Sequence, residues 1–213
     1  ETFTYFDLTT PNNVRITSIV NHILQDKDGN LWFSTNGQGL FRYNLSKNYL
    51  EQYEFTSAFG IVASTMADSD NQIWALTNQG ESGVYKLNKA ENKFEPFGLL
   101  YNAGNHHSQA LAMLEDSEQT LWLGTWECGL QKIDKYTRQT TTYLHPTDGK
   151  GVTHIHSLME YAPHQLLIGS DDGLLLFNTL TEEYKLFTEN ETVPNSLSNR
   201  FVYPVIQTDT KTD

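Results

Sequence analysis

Asp26-Lys27-Asp28-Gly29-Asn30, Leu31-Trp32-Phe33-Ser34-Thr35, Asn36-Gly37-Gln38-Gly39, Leu40-Phe41-Arg42-Tyr43-Asn44: a polar turn, an apolar run closed by a hydroxyl, a second turn and an alternating run. The apolar run recurs as Ile73-Trp74-Ala75-Leu76-Thr77, Leu121-Trp122-Leu123-Gly124-Thr125 and Leu166-Leu167-Ile168-Gly169-Ser170. A second ruler agrees with the first, because Gly39, Gly83, Gly129 and Gly173 each open an alternating run. A period of roughly 40 to 50 residues built from short strands marks the blade of a β-propeller, whereas helical solenoids of similar period need long 3.6-periodic stretches. No such stretch is present.

Each unit divides into four strands. In the first they are Ile16 to Leu24, Leu31 to Thr35, Leu40 to Asn44 and Tyr49 to Phe55, separated by turns rich in Gly, Asn and Asp. Unit two reads Ile61 to Ala67, Ile73 to Thr77, Val84 to Asn88 and Lys93 to Phe97; unit three, Ala110 to Leu114, Leu121 to Thr125, Leu130 to Asp134 and Thr140 to Tyr143. Unit four reads Ile155 to Glu160, Leu166 to Ser170, Leu174 to Phe177 and Tyr184 to Phe187, and spells its first turn Ala162-Pro163-His164. The first strand of each unit is nearly all apolar and the second close to it, which predicts cover on both faces. Trp32, Trp74 and Trp122 are expected in a buried slot, with Leu167 as the fourth occupant.

The ends fall out of phase with the units. Thr2 to Phe6 matches an outer strand, and Phe201 to Ile206 matches a first strand. The fold class is therefore all-β, a partial β-propeller of four complete four-stranded blades plus one outer strand at the N-terminus and one inner strand at the C-terminus. The divisions are 1–14, an outer strand of a preceding blade; blades at 15–58, 59–103, 104–150 and 151–192; and 193–213, the first strand of a following blade. A small closed ring is the competing arrangement, but its shared blade would lack both middle strands. A piece of a longer propeller is the preferred reading, with apolar faces on the first and fourth units that favour homodimerisation.

Composition narrows the partners. With 14 Lys plus Arg against 26 acids and a net charge of −12, the chain lacks the basic patches that nucleic acid or an anionic membrane requires. It contains no 18-residue apolar run to cross a bilayer. The single cysteine, Cys128, excludes an internal disulfide. A nucleophilic thiol served by His154 or His156 is conceivable, but nothing nearby in sequence supplies a cationic setting, and Cys128 reads as a turn residue before Gly129.

The order Asp-x-x-Gly-Asn-Leu-Trp, small residue, Thr, then Gly-Leu-x-x-Tyr-Asn, at Asp26 to Trp32 and Gly39 to Asn44, resembles the two-component regulator propeller repeat. Asn195-Ser196-Leu197-Ser198-Asn199 resembles that family's lead-in to a further copy. The paired glycines of kelch repeats and the Trp-Asp of WD repeats are absent, while unit two has a longer loop, Asn78 to Gly83, and unit four has Leu167 for Trp. The resemblance implies a periplasmic sensor region of a hybrid two-component histidine kinase, continued by more propeller and downstream domains, with many such regulators binding oligosaccharides. It implies no catalysis and no cofactor in this segment.

Turns from strand two to strand three, and loops leading into strand one, crowd one face of a propeller, where pockets form. They supply Asn36, Gln38, Asn78, Gln79, Trp126, Glu127, Asp171 and Asp172, and the mixture of amides, carboxylates and an aromatic suits a sugar. Trp126 stands out because it lies outside the repeat's core slot; packing on a neighbouring loop is the alternative. Asp171-Asp172-Gly173 is also a common turn spelling. His154 and His156 share a strand face and are weak metal candidates together with His106 and His107, a third ligand being undefined. Glu118, Glu127 and Glu160 could pair as glycosidase carboxylates only at a separation that sequence does not give. Three functions follow in order: a ligand-sensing module, a protein-interaction scaffold, and a propeller lyase or hydrolase.

Overall fold

The computed structural model describes residues 8–53, 55, 61–77, 83–99, 109–145, 151–190, 192, 196–203 and 205. Within them lie four antiparallel sheets of four strands, each ordered as in the sequence, and no helix. Sheet one is β1 Val20–Gln25, β2 Leu31–Thr35, β3 Leu40–Asn44 and β4 Tyr49–Tyr53; sheet two is β5 Val62–Ala67, β6 Ile73–Thr77, β7 Gly83–Asn88 and β8 Lys93–Leu99. Sheet three is β9 Ala110–Glu115, β10 Leu121–Thr125, β11 Leu130–Ile133 and β12 Thr140–Tyr143; sheet four is β13 Ile155–Ala162, β14 Gln165–Ser170, β15 Gly173–Asn178 and β16 Tyr184–Phe187. The chain is a partial β-propeller. It divides into two compact units, residues 1–97 and 98–213, each holding two blades.

The repeat is spelled as it is because one carboxylate organises each first turn. Asp26 Oδ1 accepts the backbone N–H groups of Asp28 and Asn30 at 3.0 and 2.8 Å, and its Oδ2 accepts the indole N–H of Trp32 at 2.8 Å. Asp68 does the same for Asp70, Gln72 and Trp74, and Asp116 for Glu118, Thr120 and Trp122. Each carboxylate is nearly buried, so full satisfaction by three donors is what makes it tolerable there. The hydroxyl ending each strand two caps the next turn: Thr35 Oγ1 donates to Gly39 O and Thr125 Oγ1 to Gly129 O, both at 2.7 Å, and Ser170 Oγ to Gly173 O at 2.8 Å.

Across the ladder a cation covers each indole. Trp32, Trp74 and Trp122 sit opposite Arg42, Lys86 and Lys132, whose charged groups lie 5.6, 5.1 and 5.8 Å from the ring centroids. In the first unit Trp32 and Leu40 pack on Ile73, Ala75 and Tyr85, and Trp32 meets Phe94 edge-on at 6.3 Å. In the second, Trp122 and Leu130 pack on Ile155, Ile168 and Leu175, with Phe177 at 6.0 Å from Trp122. All three indoles are buried, as their slot requires.

Three expectations fail. First strands are not covered on both faces: β1 alternates between exposed and half-buried residues, with Ile19 and Ile23 largely open, and full cover belongs to β6 and β10. The apolar spelling of β1 reflects packing of one face against β5. Leu167 is half-buried rather than buried. Sheet four has lost the whole device: Ala162 pairs with Gln165 around a two-residue turn, no Asp is available, and Leu176 stands opposite Leu167 where the cation would be. That face instead lines an apolar cavity of about 550 Å³ with Leu174, Leu186 and Phe187, closed on one side by Thr188, Asn190, Ser196 and Leu197. On sheet one the face expected to be open and apolar is instead covered, Leu8, Val14 and Ile16 packing over Phe41 and Tyr43.

The outer strand read at Thr2 to Phe6 lies outside the described residues. At the other end Val202 N donates to Ser170 O at 2.9 Å, and Ser157 Oγ donates to Tyr203 O, so residues 201–203 run beside the lip of sheet four. Gly169 permits this approach, because a Cβ there would stand 2.7 Å from Val202 O.

Candidate functional site

Backbone bonds in the second unit sew the strand-two turns to the chain leading into strand one. Glu127 N donates to Thr153 O at 2.6 Å, Asp171 N to His154 O at 3.2 Å, and Trp126 pairs with His154 in an isolated bridge. Asp172 fixes the same lead-in from the other side, its Oδ2 accepting Thr153 N at 2.9 Å and Thr153 Oγ1 at 3.1 Å. Three segments distant in sequence therefore meet at one lip.

There a row of five side chains assembles. Asp171 stands between two histidines, its Oδ2 2.5 Å from His154 Nδ1 and its Oδ1 2.7 Å from His156 Nε2. Trp126 stacks on His154 with ring centroids 3.6 Å apart, and Tyr203 stacks on His156 at 4.3 Å. The indole is 40% exposed and the phenol 56%, while Asp171 and both imidazoles are mostly covered. Burial alone would raise the Asp171 carboxyl, but the hydrogen bonds from His154 and His156, reinforced by their charge, outweigh it and hold its pKa below the usual 3.8. Aromatic plates flanking a preorganised polar row can stack on the C–H face of a sugar and bond its hydroxyls.

Trp126 and Asp171, read from the sequence as ligand contacts, and His154, read as a weak metal candidate, lie together, each in an altered role. One face of Trp126 is taken by His154, and both Asp171 oxygens are engaged by histidines, so Asp171 organises the row. Asp172 belongs to the turn through Thr153, while Glu127 is exposed at the rim with a left-handed φ of 67°. In the first unit Gln38 is a clamp: its Oε1 accepts Thr17 N and Ser18 N at 2.7 and 2.8 Å, and its Nε2 donates to Arg15 O at 3.0 Å. Asn36 is exposed and bonded through its backbone N–H to Ile19 O. Asn78, Gln79, His106 and His107 lie outside the described residues. Tyr203 was not singled out from the sequence, where it is one residue of the apolar run Phe201 to Ile206.

The weak metal reading of His154 and His156 gains no third ligand: both rings address Asp171, and no metal-ligating group of three or more is found among the described residues. Cys128 is buried, its N–H donating to Thr125 Oγ1 at 3.1 Å, which is the turn role expected of it. Glu160 is engaged by Ser117 through both oxygens, tying sheet four to sheet three.

Residues 13–37 match the family model described as two component regulator propeller. Over 189 residues the chain is 26% identical to Histidine kinase P4 of Formosa agariphila, an alignment covering 84% of this chain and 13% of that protein. Among solved structures it is similar to the extracellular domain of BT4673 from B. thetaiotaomicron, with a TM-score of 0.74 and 24% identity over 91% of this chain and 25% of that one. It also resembles virginiamycin B lyase from Staphylococcus aureus, with a TM-score of 0.63 and 17% identity over 84% of this chain and 57% of the enzyme. The structural likenesses are likenesses of fold, and one of them is to an enzyme. The chain spans only a small part of the regulator it matches.

Proposed function

We propose that this chain, which carries a two-component regulator propeller repeat at residues 13–37 and three further blades on the same plan, is an extracytoplasmic ligand-sensing segment of a histidine kinase regulator. The observation that carries the reading is the family match, which falls on the first turn and β2 of sheet one, where the Asp26–Trp32 device is built. Alignment with Histidine kinase P4 over most of the chain supports the same assignment, and the likeness to an extracellular domain supports the location.

The ligand is an oligosaccharide, held at the aromatic-flanked row. Trp126 offers a partly exposed indole, Tyr203 a second ring, and the imidazoles and the rim residue Glu127 the polar contacts. The segment senses and does not catalyse: the two histidines and the carboxylate are locked to one another rather than poised over open space. Calorimetry on the protein with plant and host oligosaccharides tests this, a saturable heat lost in Trp126→Ala being the supporting result. Turnover of any of those sugars would favour the hydrolase or lyase reading instead. Absence of binding to all of them, together with capture of a protein partner, would favour the interaction scaffold.

A further inference from the structure

The second imidazole nitrogens of the row are uncommitted. His154 uses Nδ1 and His156 uses Nε2 toward Asp171, and neither ring makes a further hydrogen bond among the described residues. A carboxylate can only accept, so each neutral imidazole must place its single proton on the nitrogen that faces Asp171. The tautomers are thereby fixed, Nδ1–H in His154 and Nε2–H in His156. The opposite nitrogens, Nε2 of His154 and Nδ1 of His156, are left as bare lone pairs. Between the indole and the phenol the three central side chains then offer two acceptors and a carboxylate, their own N–H donors being spent on Asp171.

We infer that His154 and His156, oriented by Asp171, decide which class of ligand the site takes: an uncharged, hydroxyl-bearing ligand is accepted and a carboxylate-bearing one is disfavoured. A hydroxyl can donate to a bare nitrogen, and it can accept from a protonated one. A carboxylate can only accept, so against two lone pairs beside an anionic Asp171 it meets repulsion and finds no partner on either imidazole. The charged groups that bear on the row are few. His154 and His156 are the ones that act on Asp171, Asp172 is engaged by Thr153, and Glu127 at the rim adds further negative charge. Asp171 is here a positioning residue, since it reaches the ligand only through the two rings. The inference rests on the proposal that this row is the sugar site.

The test is ¹⁵N-histidine NMR of the protein at pH 7.5 with a matched pair of probes, methyl glucoside and methyl glucuronide, which differ by oxidation of one carbon. At pH 7.5 the expected tautomers are Nδ1–H for His154 and Nε2–H for His156. The glucoside should shift both rings, and the glucuronide should bind at least tenfold more weakly. Asp171→Asn supplies a second arm, because an amide accepts through one atom and donates through the other. One imidazole must then turn its proton outward, and the glucuronide should gain at pH 7.5. The opposite tautomers, or equal binding of the two sugars at pH 7.5 in the parent protein, would overturn the inference alone. Correct tautomers with no response to either sugar would overturn the sugar-site reading and this inference with it.

Discussion

Removing the carboxylate of Asp116 should destabilise the third blade by a predictable amount. Asp116→Ala leaves three donors without their acceptor: the Trp122 indole N–H, bonded at 2.7 Å, and the backbone N–H groups of Glu118 and Thr120 at 3.0 and 2.8 Å. The indole is 1% exposed, so water cannot replace the carboxylate there, and an orphaned buried donor costs about 1 to 3 kcal/mol. Glu118 is exposed and Thr120 only half-buried, so the turn amides regain water and lose only about 0.5 to 1 kcal/mol each. The sum is roughly 2 to 5 kcal/mol. Trp122→Leu removes the other partner, copying the natural state of sheet four at Leu167, and strands the Asp116 oxygen instead. The double variant leaves neither group buried and unpaired, so its loss should fall short of the summed single losses by about 1 to 3 kcal/mol. Urea unfolding followed by circular dichroism reads each value from the midpoint and slope. Additivity within about 0.5 kcal/mol would refute the coupling, and a loss under that figure for Asp116→Ala alone would refute the role given to the carboxylate.

Three further outcomes follow from the same contacts. Gly124→Ala sets a Cβ 2.4 Å from Ile155 Cγ2 and should cost about 1 to 3 kcal/mol by denaturant unfolding, because sheets three and four cannot keep their approach. Because the folded Asp171 pKa lies below its unfolded value, the stability it contributes is present above the unfolded pKa and is lost as pH falls below the usual 3.8 through the folded one; thermal melts of Asp171→Asn should lack that part of the acid limb. Leu176→Glu, placing a charge in the apolar cavity of sheet four, should reduce dye binding and self-association in sedimentation with little change in the melting of sheets one to three.

The repeat was legible because its spelling is local. An Asp six residues before a Trp, and a hydroxyl before a Gly-bearing turn, each close hydrogen bonds within one hairpin, so their spacing is fixed by the chain itself. What could not be read was anything set between segments. Composition does not tell that Asp171 would be shared by two histidines, since His154 and His156 reach it across a hairpin, 17 and 15 residues away. Gln38 looked like a loop amide free for ligand, but its bonds run to backbone more than twenty residues earlier. The exposed face of β1 misled for a related reason: an apolar strand is written the same way whether one face or two are covered. In unit four the loss of Trp was visible, yet its consequence, an apolar cavity where the other sheets carry an indole under a cation, required the cross-strand partner Leu176 to be seen.

The central claim is that the row beginning at Trp126 is a sugar-sensing site, and tryptophan quenching tests it most directly. The chain has four tryptophans, of which Trp32, Trp74 and Trp122 are buried and Trp126 alone is exposed. Iodide should therefore quench one indole in the free protein. A bound oligosaccharide covering the exposed part of Trp126 should suppress that quenching in proportion to occupancy, and Trp126→Phe should remove both the quenching and its suppression while sugar binding weakens by roughly 1 to 3 kcal/mol. Saturating oligosaccharide that leaves Trp126 as accessible to iodide as before would contradict the account.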